Sequence, residues 1–369
     1  MSSSPLVLIT GGNGFVGYAV LAGTLKAGYR VRAAVRRQDA VDSISRGPSI
    51  QDYLSSGALS FAIVTDNSKP GAYLEAARDS SFIIHVASPL ATAPGDLVQQ
   101  AVAGNKAILE AAEATPSVER VVFTSSTSSI RPFDRMLPEH PANQAIISGN
   151  ADSIPALTAD TKVPTQPPIS IDAPGFHKYI NAKIAATNLV HGYGAERLDE
   201  VHFSIVNLMP GWILGPEELA RNKQEAFKGS NLMLGWLFME LSLAPLMGFS
   251  ESEAPPLLSE TVHLDDVVES HVNALNVSRV QGKYRNFLLC SDAPTGPVIM
   301  DAVDIVKREL PDEVANGKIP FAGKLGTLES KFDTAPAEEE LLRHPFQPYA
   351  NQVKDTIKWY VHLEDREGV

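Results

Sequence analysis

An α/β fold built on a doubly wound parallel sheet follows from three features of the amino-acid sequence. Within the first 130 residues, short apolar runs of strand type alternate with stretches of helical spacing. A glycine cluster occupies the first strand-to-helix turn, and no internal repeat or low-complexity tract competes with this order. Strands alternating with helices imply βαβ units, whose right-handed crossovers generate a parallel sheet.

Runs 6–10, 30–35, 61–64, 82–87 and 120–125 read as buried strands. Between them, 15–27, 71–77 and 97–114 have helical spacing. The pattern breaks at 131–175, which holds eight of the 26 prolines, so a long surface excursion is expected there. A helix over 177–193 and a strand over 201–208 follow. From about residue 216 the texture changes to apolar segments and helices ending near Trp359. The expected division is a Rossmann-type domain over 1–215, with 131–175 as a Pro-rich insertion, and a smaller C-terminal lobe over 216–369 that mainly binds substrate. Segments at about 260–290, including a strand at 284–290, are expected to return to the first domain.

Composition narrows the function. Of 369 residues, 44% are hydrophobic, which excludes wholesale disorder. A net charge of −12 argues against a general nucleic-acid or anionic-membrane binder, which needs a basic face. Cys290 is the only cysteine, so an internal disulfide and cysteine-rich zinc sites are excluded, and a reducing, cytoplasmic setting is expected. Neither chain end carries a recognisable targeting or lipidation signal. The apolar stretch 231–249 is nearly long enough to span a bilayer, but Glu240 and Pro245 interrupt it. A buried helix or a pocket wall is the expected reading. Nine histidines are scattered without metal-ligand spacing, so no metal is expected.

The first strand runs straight into Gly11-Gly12-Asn13-Gly14-Phe15-Val16-Gly17. In such a turn Gly11 permits the tight bend, Gly14 lets backbone approach a diphosphate, and Gly17 lets helix and strand pack closely. The helix then offers free N–H groups and the positive end of its dipole. At the end of the second strand, where a ribose 2′-OH would call for a carboxylate, stand Arg36 and Arg37, with Asp39 the first acid. A guanidinium grips a 2′-phosphate with two parallel N–H bonds, which favours NADP(H).

Tyr179 and Lys183 form a YxxxK pair whose spacing puts phenol and ammonium on one helical face. Lowering a phenol by about three pKa units takes about 4 kcal/mol. One cation about 4 Å away at an effective dielectric of about 20 supplies that. The strand 120–125 ends in Thr124, Ser125 and Ser126, on the sheet edge where open α/β folds bind ligands. A serine there can hydrogen-bond a substrate carbonyl while the tyrosine donates a proton. No G-x-S-x-G elbow surrounds Ser126, so a hydrolase nucleophile is rejected.

These motifs resemble the extended short-chain dehydrogenase/reductases, in particular their dihydroflavonol-reductase-like branch of NADPH-dependent aldehyde and ketone reductases. The resemblance runs through TGGNGFVG at 10–17, VRAAVRR at 31–37, Asp66-Asn67, HVASP at 85–89, RVVFTSS at 120–126 and YINAK at 179–183. It continues through NLMPGWILGP at 207–216, HLDDVVESH at 263–271 and SKFDTAP at 330–336, the last similar to fungal-type carbonyl reductases. It implies Ser126, Tyr179 and Lys183 as catalytic residues, Arg36 on the 2′-phosphate and Asp66, with Asn67 beside it, at the adenine. Ala87, Ser88 and Pro89 would lie along the ribose and nicotinamide, near Thr124, with Pro210, Gly211, Trp212 and Ile213 at the carboxamide end. Two departures stand out. Ala103 occupies the place where many relatives carry an asparagine, with Asn105 displaced by two positions, and the interval from Ser126 to Tyr179 is lengthened by the excursion.

Trp212, Met233, Trp236 and Phe238 are candidates for an apolar pocket wall, with core packing as the competing reading. The expected activity is reduction of a small carbonyl substrate, by a monomer or homodimer. Two readings compete with it: a redox-neutral epimerase, isomerase or dehydratase, and a dinucleotide sensor without catalysis. Thr127-Ser128-Ser129 after Ser126, where sugar-nucleotide dehydratases often carry an acidic pair, counts against a dehydratase. The intact Tyr-Lys pair counts against a sensor.

Overall fold

The computed structural model describes residues 4–150, 154–253 and 255–363. The readings of the two chain ends over 1–3 and 364–369, and positions 151–153 of the excursion, lie outside the described residues.

Seven strands form the central sheet: β1 (Leu6–Thr10), β2 (Arg30–Val35), β3 (Leu59–Ile63), β4 (Phe82–His85), β5 (Arg120–Thr124), β6 (Ser204–Pro210) and β7 (Tyr284–Leu289). Their spatial order is β7-β6-β5-β4-β1-β2-β3, and every pairing is parallel. Alternation divides β1 between two cores: Val7 and Ile9 face one helical layer, and Leu8 faces the other. The strand order reverses between β1 and β4, so the ligand crevice lies at their C-terminal ends. β7 joins the sheet beside β6.

Arg120 pins the opposite edge. It is 2% exposed, and its guanidinium donates to Ser204 Oγ at 2.8 Å and to the carbonyls of Ala274 at 2.8 Å and Val280 at 2.6 Å. The cation thus caps the helix Leu264–Ala274, where a positive charge complements the dipole.

Several local expectations need correction, among them the strand expected over 201–208, which runs from Ser204 to Pro210. The third strand begins two residues earlier than 61, because Leu59 and Ser60 pair with Val31 and Arg32 in an edge strand of mixed burial. Only Leu74–Ala77 of the expected 71–77 helix forms, since Gly71 at φ +73° belongs to a turn. The excursion is partly ordered, containing a 3₁₀ turn Phe133–Met136 and a helix Pro141–Ile147. Proline at its first turn and His140 Nδ1, which accepts from Ala142 N at 3.2 Å, start that helix. Buried Asn143 anchors it by donating to the carbonyls of Arg135 and Leu137 at 2.8 and 2.6 Å.

A second core gathers apolar residues between Leu214 and Leu363. Stretch 231–249 forms two short helices, Leu232–Phe238 and Ala244–Met247, packed against the helix Tyr349–His362 and its neighbours. Among the described residues, no helix is long and apolar enough to cross a membrane.

Candidate active site

The glycine turn between β1 and the helix Phe15–Lys26 has two different steric demands. Gly11 sits at φ +75°, and a Cβ there would lie 2.8 Å from Ala87 N. A Cβ at Gly17 would lie 2.0 Å from Gly11 O, so helix and strand meet through bare backbone. Gly14 differs. Its φ is −98°, and an added Cβ would meet only Gly11 O, at 3.5 Å. Nothing in the chain requires glycine there, but a ligand approaching the backbone would. Gly14 caps the helix without any side-chain bond, and Asn13 and Gly14 are exposed, with Phe15 and Val16 half-buried behind them. The helix N-terminus is therefore open to an anion.

Arg36 and Arg37 are both exposed but differently engaged. Arg37 makes a two-pronged bond to Asp39, at 3.1 and 3.0 Å, whereas Arg36 has no ion pair among the described residues. That arrangement leaves Arg36 available to a phosphate. Asp66 closes its own turn, accepting from Ser68 N at 3.0 Å and Ser68 Oγ at 2.6 Å, bonds that hold its carboxyl below the usual range. Asn67 faces the same crevice as Ala87, Ser88 and Pro89.

The three catalytic candidates converge at the C-terminal ends of β5 and β6. Ser126 lies just beyond β5, and its hydroxyl is a polar neighbour of the Tyr179 phenol that acts to lower its pKa. Ser125 instead meets Thr187, at 2.6 Å between hydroxyls. Tyr179 and Lys183 occupy the N-terminal half of the helix Gly175–Arg197, with Lys183 Nζ 5.7 Å from the phenol ring centroid. Lys183 Nζ donates to Thr124 O at 3.2 Å and Ser125 O at 3.5 Å rather than to the phenol. Burial pushes the phenol's pKa up, which corrects the expectation of a phenol lowered by the neighbouring lysine. The same burial brings Lys183 down to about 8. The arrangement holds a protonated phenol beside a cation ready to stabilise its conjugate base.

Polar residues absent from the sequence-based set stitch this edge together. Thr10 Oγ1 lies 2.8 Å from His85 Nδ1 and accepts from Ala87 N at 3.2 Å, joining the switch-point strands. His271 Nδ1 donates to Val267 O at 2.7 Å, so its Nε2 accepts from Thr124 Oγ1 at 2.8 Å. Burial lowers His85 to about 3 and His271 to about 4, keeping both neutral. Asn105 donates to Ala186 O at 3.3 Å, so the displaced asparagine still faces the Tyr179 helix. It lines a cavity of about 30 Å³ with His85, Thr124, Lys183 and Thr187. Thr10, His85 and His271 stand in the TGGNGFVG, HVASP and HLDDVVESH motifs, which show residue type but not partner.

From the last residue of β6, Pro210-Gly211-Trp212-Ile213 continues as a strap beyond the sheet edge. Gly211 N donates to Leu289 O at 3.1 Å, Trp212 N donates to Glu260 O at 2.7 Å, and Ile213 is buried. Of the apolar pocket candidates, Trp212 is the one placed beside the Tyr179 helix: its ring is nearly parallel to Phe176, which in turn stacks on Tyr179. Met233 and Phe238 are fully buried in the second core and Trp236 is 6% exposed, so packing accounts for them without a substrate. Phe176 went unnoticed in the sequence because it reads as an ordinary apolar residue at a helix start. Among the described residues, no three His, Cys, Asp or Glu side chains group to hold a metal.

A family model described as the NAD dependent epimerase/dehydratase family matches residues 7–290. A ketoreductase of Cercospora nicotianae is 30% identical, over 99% of this chain and 97% of its own. An NAD-dependent epimerase/dehydratase of Alternaria alternata is 33% identical, over 92% of this chain and 93% of its own. The structure of yeast methylglyoxal/isovaleraldehyde reductase complexed with NADPH superposes with a TM-score of 0.72 at 21% identity, covering 98% of this chain and 99% of that one. The glycine turn, the Ser-Tyr-Lys cluster and the strap all fall within the matched span or at its edge, and the chain belongs to the NAD dependent epimerase/dehydratase family.

Proposed function

We propose that this protein is an NADPH-dependent carbonyl reductase that converts a ketone or aldehyde to an alcohol. The observation that carries this reading is the meeting of Ser126, Tyr179 and Lys183 beside an open helix N-terminus. When bound, the dinucleotide supplies a hydride to the carbonyl carbon. The glycine turn seats its diphosphate, Arg36 takes the 2′-phosphate with Arg37 beside it, and Asp66 and Asn67 border the adenine. Ala87, Ser88, Pro89 and Thr124 line the ribose and nicotinamide, and Pro210 to Ile213 hold the carboxamide end.

Ser126 donates a hydrogen bond to the substrate oxygen and polarises it. Tyr179 passes its proton to that oxygen as the carbon accepts hydride. Burial keeps the phenol protonated until then. With a pKa of about 8, Lys183 is charged at neutral pH and stabilises the phenolate left behind. Trp212 and Phe176 give the mouth an apolar, aromatic side, which suits a neutral substrate of moderate size. The motif set supports placement in the dihydroflavonol-reductase-like branch, and the names of the fungal and yeast relatives support the reductive direction. The lone, buried Cys290 suits work in the reducing cytoplasm.

NADPH absorbance followed against a panel of ketones and aldehydes tests the reading. Net consumption is expected, and Tyr179→Phe is expected to lower turnover about 10²- to 10⁴-fold while still binding NADPH. Wild-type rates in that variant would refute the proton-donor role. NADPH binding without consumption would favour the redox-neutral or sensing alternatives.

A further inference from the structure

A buried ion pair, unused by the proposed chemistry, joins the catalytic serine turn to the cofactor strap. Ser129 donates to Ser126 O through both its N, at 2.9 Å, and its Oγ, at 2.7 Å, which makes 126–129 a tight turn. Two residues later Arg131 points inward with its side chain 3% exposed and pairs with Glu260, 4% exposed. Ser330 Oγ accepts from Arg131 Nη1 at 3.1 Å and donates to Glu260 Oε1 at 2.5 Å, closing a three-membered polar centre.

This centre is tied to the strap by backbone. Glu260 O accepts from Trp212 N, and a Cβ on Gly211 would lie 2.5 Å from that same oxygen. It is also tied outward: Ser330 N donates to Ser259 Oγ at 3.1 Å, and Leu157 of the excursion exchanges backbone bonds with Lys331 and Asp333 at 2.8 and 2.9 Å. The SKFDTAP segment therefore closes the centre. Taking two charges out of water is costly, and a packed apolar trio would fill the same space. What the charged trio adds is directional bonding between segments that carry different parts of the reaction.

We propose that Arg131, Glu260 and Ser330 are positioning residues, which hold Ser126 in register with Gly211 and Trp212 and so align the carbonyl oxygen with the hydride donor. The proposal rests on the reductase reading. Arg131→Lys keeps the charge but loses the fork, and Ser330→Ala keeps the ion pair but opens the ring. For each, turnover per NADPH-binding site is measured, with binding sites counted by NADPH titration. The isotope effect is measured with NADPH deuterated at the transferred position.

The expected result is a fall of about 10- to 100-fold in kcat for Arg131→Lys, the scale of a misplacement of an ångström or less. Ser330→Ala falls in the same direction by less, the isotope effect rises in both, and NADPH affinity stays within about threefold of wild type. A merely structural role would lower Tm and the number of binding sites but leave kcat per site and the isotope effect unchanged, which overturns the proposal. If Arg131→Lys does not fold, Ser330→Ala alone decides. A wild type that consumes no NADPH with any carbonyl overturns the reductase reading and this proposal together. An active wild type with unchanged variants overturns only the positioning role.

Discussion

Replacing Lys183 by methionine is expected to stop turnover and, at the same time, to remove a large penalty on folding. The residue is 6% exposed, and burial pulls its pKa from 10.5 to about 8. That displacement corresponds to about 3 kcal/mol against the charged form. A lysine with a depressed folded pKa opposes folding wherever it is charged. The penalty is full below about pH 8 and fades as pH rises towards the unfolded value of 10.5. Between pH 7 and pH 10, wild type therefore gains about 2.5 kcal/mol of stability from this one group. Lys183→Met lacks that gain. At pH 7 part of the advantage is offset, because Thr124 O and Ser125 O lose their donor, at about 1 kcal/mol or more each. The decisive measurement is urea unfolding of both proteins at pH 7 and pH 10. The pH-dependent gain is expected to be larger in wild type by about 2–3 kcal/mol. Equal pH dependence in the two proteins would show that Lys183 is not held at a depressed pKa, and the electrostatic account of the site would fail.

Two further outcomes separate residues that look alike in the sequence. Arg36→Ala is expected to weaken NADPH binding about 10- to 100-fold with little effect on NADH, as for loss of a charge-assisted phosphate contact. Arg37→Ala should cost less, since Arg37 already holds Asp39; isothermal titration with both cofactors checks this, and equal losses would refute the assignment. Gly14→Ala is expected to leave Tm nearly unchanged while cofactor affinity drops at least about tenfold. Gly17→Ala, whose Cβ would lie 2.0 Å from Gly11 O, is expected to prevent folding or lower Tm severely, as thermal scans would show.

The parts of the molecule legible in sequence are those whose signal is local. Strand β1 and the glycines after it declare themselves within twelve residues, because tight turns and free N–H groups leave few alternatives to glycine. The Tyr179-Lys183 spacing is equally local. What was hidden depends on partners distant in sequence. His271 stands in the sequence as the end of a motif without a visible partner until Thr124 of β5 is brought to it. Met233 and Phe238 show why apolar type cannot separate a pocket from a core: both uses select the same side chains, and only the neighbouring helix Tyr349–His362 decides. The helix Pro141–Ile147 is too short to show a period, and its stability comes from one buried asparagine.

β7 gives the two-lobe description a different meaning. It enters the sheet from residue 284, long after the chain has left the cofactor-binding half, and pairs along β6 from Ile205 to Pro210. A polypeptide cut after residue 215 would turn β6 into an open edge with a row of unpaired N–H and C=O groups and bared apolar side chains. Arg120 would also lose the carbonyls of Ala274 and Val280, leaving its guanidinium with Ser204 as its remaining side-chain partner. The first six strands are thus contiguous on paper but not severable in practice: their sheet is completed only after the chain through residue 289 has been synthesised.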